Sequence, residues 1–521
     1  MFSRKLVGLT VICLFGLFGL FACFGSTKYE REFEGYKVEE TIVDDWYSIY
    51  LLDMKAGYDH INITKGTLDG KEVIKIVEEG EILFKFEDAE RPIANEIYGE
   101  VFLLADEKEY QDEKQDEKQN EGQNKEQLLG FMYRMTILSH KMLIEGIKSG
   151  ENILVDFNSG GGKQHIKFSA NENIYPSIAL SYFAVKEAKR NGLVPGKTFS
   201  YKIFMEGLKI IKDLEVKIIG YNKIIVEGDK TKVFEIETSI EGYKSKSWVG
   251  MDGRVIKEVT LEKFEMVMEE KEIAQNLDGA GITYNDILEI ALVPVNKKIR
   301  NPGKLKMLKV KIDKFSRSSS ILTGDFQFIE GPDETNGYVF TMKRGEIDES
   351  MPIEYGSFPK EVQEYLLPSI DIESDHKRMI AKAERIAKGL DPVLDSKKIL
   401  KWVNKNVKKR MVDATSALDA LNSLEGECES HAYLLAGLLR ARGIPTKVIS
   451  GIVYSEELDG FFFHAWNEVY LGKWIPVDPT FGQFPADPTH IKFSEGGRKA
   501  LLDIVPLIGT IKVDVLEMTR D

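Results

Sequence analysis

Short runs that alternate apolar and polar positions, such as 73–77 and 82–86, fill the first part of the chain, with Gly-containing turns between them. Trp46-Tyr47-Ser48-Ile49-Tyr50-Leu51 reads as a half-buried strand. A period near two marks a sheet with one face buried, so residues 28–274 are expected to form a β-rich accessory region. Gly228-Asp229 and Asp252-Gly253 lie between apolar runs and suit hairpin turns. A helical stretch over 178–191 should pack against these sheets or link them. Residues 106–127 break the pattern with Gln-Asp-Glu-Lys repeats and almost no apolar side chain, which predicts a solvated, disordered insertion. The Gly-rich stretch 158–163 resembles a phosphate loop only superficially. It lacks the Gly-x-x-x-x-Gly-Lys-Ser/Thr spacing and no helix follows, so a flexible hairpin tip is expected. Residues 275–360 form a mixed linker or accessory region, with strands at 305–312 and 338–341.

The period changes near residue 374. Ser374 is placed to cap a helix with Met379, Ile380, Ala383, Ile386 and Ala387 on one face, stopped at Gly389. Asp395 or Ser396 would cap a second, striped by Ile399, Leu400, Val403 and Val407. A third opens near Cys428, turns Ala432, Leu435, Leu438 and Leu439 inward, and ends at Gly443 and Pro445. Strands follow at 447–454, 462–470 and 474–478. Helices first and an antiparallel sheet afterwards make an α+β domain over 361–500, with 501–521 as a C-terminal strand segment.

With 521 residues, 43% hydrophobic and 30% charged, the chain has material for two to four domains with real cores. Its net charge of -14 lacks the basic footprint that a phosphate backbone requires, so nucleic acid is not an expected partner. Arg4 and Lys5 precede an apolar run from residue 6 to 25. That pattern over 1–26 predicts an export signal, a lipoprotein signal with Cys23 as the lipidated residue in Leu20-Phe21-Ala22-Cys23, or a membrane anchor. Each places residues 27–521 outside the cytoplasm, in a bacterial cell envelope.

Past Cys23 the chain has a single cysteine, Cys428, so no disulfide partner exists for it there. It stands where Gly426-Glu427 meets an amphipathic helix, and the unpaired N–H groups of a helix start favour a thiolate. Glu427 and Glu429 oppose that shift, so a protonated histidine is needed beside the sulfur. His464, in Phe-His-Ala-Trp, comes with a carboxylate at hairpin distance, Asp478 in Val-Asp-Pro-Thr. His431 lies three residues after Cys428 on the same helix face and reads as a supporting or packing residue. Cys-x-x-His without a second pair is a weak metal site, no calcium loop is evident, and neither metal nor cofactor is expected.

His464 and Asp478 must face the same side of their hairpin to meet. A two-residue turn at Gly472-Lys473 would put them on opposite faces. The chemistry therefore predicts a three-residue loop, Tyr470 opposite Trp474, with Gly472 at positive φ.

The segments Gly-Glu-Cys-Glu-Ser-His-Ala, Leu-Leu-Arg-Ala-Arg-Gly-Ile-Pro-Thr-Lys-Val, His-Ala-Trp-Asn-Glu-Val-Tyr and Trp-Ile-Pro-Val-Asp-Pro-Thr together resemble the transglutaminase-like superfamily. The extension from Phe481 to Ile491 is similar to exported bacterial members. The resemblance covers roughly 360–500. It implies a papain-like fold, with Cys428 as nucleophile, His464 as base and Asp478 as the residue that orients it. It also implies acyl transfer or hydrolysis of protein or peptide amides through a thioester. The alternatives are a catalytically idle binding or scaffold protein of the envelope, and a lipid-handling module in the β-rich half. For the oxyanion, the Cys428 backbone N–H is the first expected donor.

Overall fold

The computed structural model describes residues 28–86, 91–105, 126–137, 140–159, 162–226, 229–240, 243–260, 263–315, 323–332, 337–348, 353–410, 414–497 and 500–520. They divide into two compact units, one holding nearly all of the chain up to Thr283, the other running from Tyr284 onward. The expected N-terminal targeting segment lies outside the described residues, as do most of the charged insertion, Gly228, and Gly160 with Gly161. Among the described residues no helix is long and apolar enough to cross a membrane.

The first unit is built on one sixteen-stranded sheet. Eight strands from Lys37–Leu51 to Gly162–Ser169 follow one another as neighbours, and a second meander runs from Thr198–Met205 to Phe264–Glu269. The two meanders join where the first strand pairs with the last, Trp46 opposite Glu269 and Leu51 opposite Phe264. The alternation seen in the sequence has the expected cause: Asp59, Ile61 and Ile63 are buried while His60 and Asn62 are half-exposed. Asp252-Gly253 makes the turn between Tyr243–Val249 and Val255–Thr260, with Gly253 at φ +86°. The helix expected over 178–191 is Leu180–Asn191, led in by a 3-10 turn, Ser177–Ala179. Its buried residues are Tyr182, Phe183 and Val185, and Ile178 of the lead-in lies where a Cβ on Gly99 would clash, 2.8 Å away.

The second unit carries two four-stranded sheets. In one, Lys512–Arg520 pairs with Leu305–Asp313, which pairs in turn with Tyr338–Lys343. The segments before and after the expected α+β domain thus share a sheet. The other sheet has the order Trp474–Val477, Gly460–Tyr470, Thr446–Ser455, Ile491–Glu495. Gln327 ties the two together through its side-chain amide, which exchanges bonds of 2.9 and 2.8 Å with the backbone of Lys492.

Four helices pack beside the second sheet: Lys377–Ile386, Pro392–Asn406, Ala417–Ser423 and Cys428–Ala441. Their caps differ from expectation. His376, not Ser374, caps the first, accepting from the Arg378 N–H. Asp391, with Pro392 at the first turn, caps the second. Asp395 is instead fully buried, receiving Tyr355 Oη–H, Arg442 and the Gly389 N–H. The short helix Ala417–Ser423, capped by Ser416, was not expected. The common core includes Met379, Ile399, Val403, Leu435, Leu439, Val448, Val469 and Ile475. An α+β architecture describes this unit.

Candidate active site

Cys428 is the first residue of its helix and 6% exposed; every residue from Cys428 to Leu439 is buried. Gly426 makes the entry possible, since its φ of +144° is open to glycine and strained for other residues. The preceding turn is pinned against a second segment: Lys408 N–H donates to Leu424 O at 2.8 Å, and Gly426 N–H to Lys408 O at 2.9 Å. This lacing brings Lys409 within electrostatic reach of Cys428, Glu427 and Asp478. A helix start and a nearby ammonium both favour a thiolate.

The histidine strand, Gly460–Tyr470, is laced to this helix by Asn467, whose amide donates to Ala432 O and Lys447 O, each at 3.0 Å. The hairpin has the expected register. Tyr470 faces Trp474, Gly472 sits at φ +81°, and the ladder ends with Asn467 opposite Val477. His464 therefore lies beyond the last pair, where the chain past Val477 turns back on itself. In that turn Asp478 and Gln483 exchange backbone N–H···O bonds, both 2.9 Å. The structure brings His464 and Asp478 together, with Nε2 to Oδ2 at 2.9 Å and both side chains buried. Asp478 Oδ1 accepts the N–H groups of Thr480 and Phe481 at 2.6 and 2.9 Å. His464 Nδ1 is buried without a hydrogen-bond partner, so the Cys428 thiol does not donate to it in this conformation. Catalytic hydrogen bonds of this kind are often long or misaligned until substrate is bound.

His431 is not part of this pair. It is fully buried, with Nδ1 2.6 Å from Glu427 O, and burial pushes its pKa down to about 4, so it stays neutral. Trp466 is also buried, packing edge-on against His490 at 5.2 Å between ring centroids.

Two residues near His464 had no assigned role in the sequence. Phe481 stacks on the His464 ring, centroids 4.9 Å apart and planes 14° apart, and Lys409 Nζ stands 5.5 Å from the Phe481 centroid. His490 reaches the same carboxylate oxygen as His464, Nε2 to Asp478 Oδ2 at 3.0 Å, while its Nδ1 lies 3.0 Å from Asp487 O. Both belong to the loop after Asp478, where no periodicity marks a facing direction. The one available signal was a second histidine twelve residues past Asp478, following Asp-Pro-Thr.

Electrostatics follow from this wiring. Burial alone would raise the Asp478 carboxyl, but His464 and His490 outweigh it and hold it far below the usual range. Burial depresses His464; Asp478 works against that, while His490 and Lys409 add to it, and the net shift is downward. Burial would lower His490 too, yet its bonds to Asp478 and Asp487 raise it well above an ordinary imidazole. His464, Asp478 and His490 place three possible metal-ligand atoms within 4.8 Å. Asp478 Oδ2 faces both imidazole Nε2 atoms and Oδ1 takes two backbone N–H groups, so both carboxylate oxygens are already engaged by protein partners.

Residues 380–479 match the model of the transglutaminase-like superfamily. An uncharacterized protein of Mycobacterium leprae is 29% identical over 144 residues, covering 25% of this chain and 50% of that protein. The kyphoscoliosis peptidase of Mus musculus is 34% identical over 85 residues, 15% of this chain and 13% of the peptidase. The chain thus spans half or less of these relatives' length. A crystal structure of a candidate cysteine protease from Cytophaga hutchinsonii aligns with a TM-score of 0.28 at 20% identity, over 42% of this chain and 86% of that one.

Proposed function

Residues 380–479 belong to the transglutaminase-like superfamily, and from that premise we propose that the protein is a cell-envelope cysteine enzyme acting on protein or peptide amides. The reading rests on one observation above all: a buried imidazole held by a carboxylate at 2.9 Å, its other nitrogen bare, on a strand laced to the helix that Cys428 opens.

With Nε2–H donating to Asp478, His464 is held in the tautomer that leaves Nδ1 as proton acceptor. Nδ1 takes the Cys428 proton, and the sulfur attacks the carboxamide carbon. The oxyanion forms against the Cys428 backbone N–H. As the C–N bond breaks, His464 returns its proton to the departing amine and a thioester remains. Water then gives hydrolysis; a second amine gives transamidation. The basic and apolar segment at 4–25 supports delivery outside the cytoplasm, by signal, lipid on Cys23, or anchor.

The test is the reactivity of Cys428 in the full chain. Iodoacetamide at pH 7 should alkylate it at least about tenfold faster than an exposed model thiol. Incubation with glutamine-containing peptides should yield a Cys428 thioester by mass spectrometry, absent in Cys428→Ala, and the released product separates water from amine as acceptor. Ordinary thiol reactivity together with no trapped thioester would falsify the enzymatic reading and leave an idle scaffold.

A further inference from the structure

We propose that His490 is a positioning residue of the site: an imidazolium clamped between Asp478 and Asp487 that holds the Asp478 carboxylate and sets the pH range in which His464 is a free base. The inference rests on the proposed role of His464 and Asp478.

Hydrogen-bond arithmetic carries it. A neutral imidazole has one N–H and can donate on one side only. Both nitrogens of His490 face acceptors: Nε2 meets Asp478 Oδ2 at 3.0 Å, and Nδ1 meets Asp487 O at 3.0 Å, with Asp487 Oδ1 at 3.6 Å. With Nδ1–H spent on the carbonyl, a neutral ring would turn a lone pair toward a buried carboxylate. The wiring is satisfied when both nitrogens carry protons. Asp487 is built to balance that charge. Its Oδ1 accepts Thr489 N–H and Oγ1–H at 2.9 and 2.6 Å, its Oδ2 accepts Gln483 Nε2–H at 2.9 Å, and its own N–H donates to Gln483 Oε1 at 2.8 Å. His490 raises its partner's acceptor count to four: two N–H groups on Oδ2 from histidines, two on Oδ1 from the backbone.

The cation also acts on His464, whose ring centroid is 6.1 Å from that of His490. A fixed positive charge there opposes protonation of His464, so that neutral His464 is available at lower pH. Among the described residues, the other charged or titratable groups facing the cluster are Lys409, from the segment beside the helix start, and Cys428, Glu427 and His431 on or before the helix. Of these, Lys409 acts on His464 in the same direction as His490.

The experiment is ¹⁵N-histidine NMR on the full chain from pH 5.5 to 8.5, with resonances assigned by His490→Gln and His464→Gln. One buried histidine should keep both ring protons throughout and vanish in His490→Gln. In that variant the His464 titration should move up by about one pH unit, with the alkaline limb of Cys428 alkylation moving alongside. Asp487→Asn, which leaves His490 in place, should give a smaller shift of the same sign. A singly protonated His490 at pH 7, or a His464 titration unmoved in both variants, overturns the inference. Rapid alkylation of wild-type Cys428 alongside either result would sink only this role of His490; ordinary alkylation with no trapped thioester in the wild type would sink the enzyme itself.

Discussion

At the scale of single residues, Asp478 has more to do than any other side chain in the site, and its substitution separates orientation from presence. Asn in its place keeps an oxygen for the Thr480 and Phe481 N–H groups but aims an NH₂ at two imidazoles. The tautomer of His464 that exposes Nδ1 loses its anchor. Asp478→Asn should therefore lower kcat by about 10³-fold or more, measured by product release, with the circular-dichroism spectrum unchanged. The contact itself was expected from the chemistry of a thiol, an imidazole and a carboxylate, and parity along the hairpin said which loop would allow it. His464 and Asp478 had to share a face, which selected the three-residue loop and Gly472 at positive φ. Nothing comparable pointed to Phe481 and His490. They sit in an irregular loop whose direction is set by the Asp478–Gln483 backbone pair and by side-chain bonds to Asp487, and such bonds leave no repeating pattern.

At the scale of elements, the helical stripes were readable because burial on one face forces a 3.6-residue period. The caps were less so, because Ser374, Asp391, Asp395 and Ser396 all have cap chemistry and only the backbone trajectory chooses among them. Asp391-Pro392 was the stronger signal, a capping carboxylate followed by proline at the first helical position. The two aspartates consequently make opposite demands on the fold. Asp391 is a surface cap, accepting from Val393 N–H at 2.8 Å and Leu394 N–H at 3.2 Å, and Asp391→Ala should cost about 1 kcal/mol. Asp395 is fully buried and bonded to Tyr355, Arg442 and Gly389. Removing it strands a half-buried guanidinium and a backbone N–H, and Asp395→Ala should cost about 3 kcal/mol or more. Urea unfolding of the two variants checks the ranking. Near-equal losses would mean that the buried network contributes little.

At the scale of the whole molecule, the β-rich half was legible as strands but not as a sheet order, because the pairing of Trp46 with Glu269 joins residues more than two hundred positions apart and no local residue encodes it. The order matters for charge. It folds several carboxyls into the N-terminal unit. Asp59 is buried between Tyr47 and Gly80 on its neighbouring strands. Glu206, also buried, takes the Ser177 N–H at 2.9 Å and hydroxyl at 2.7 Å. Burial raises Asp59 to about 7, and burial together with the nearby Asp59, Glu206 and Glu258 carboxyls raises Glu78. Burial raises Glu206 to about 7 even against its Ser177 bonds. In the unfolded chain these groups ionise near pH 4. Between about 4 and 7 the unfolded state has therefore lost protons that the folded state keeps, and stability falls as pH rises through that window, then levels off. The fall attributable to Glu206 should be about 3–4 kcal/mol. Glu206→Gln keeps an acceptor for the Ser177 N–H and cannot ionise, so it should flatten part of the decline. Hydrogen-exchange protection of peptides from Lys37–Leu51 and Met54–Leu68, followed from pH 5 to 8 after correction for intrinsic exchange, reads this directly in the intact chain. Wild-type protection should drop with pH and the variant's should drop less. Protection that rises with pH would mean that these carboxyls are ionised and paired in the folded state, and that the sheet encloses charge rather than protons.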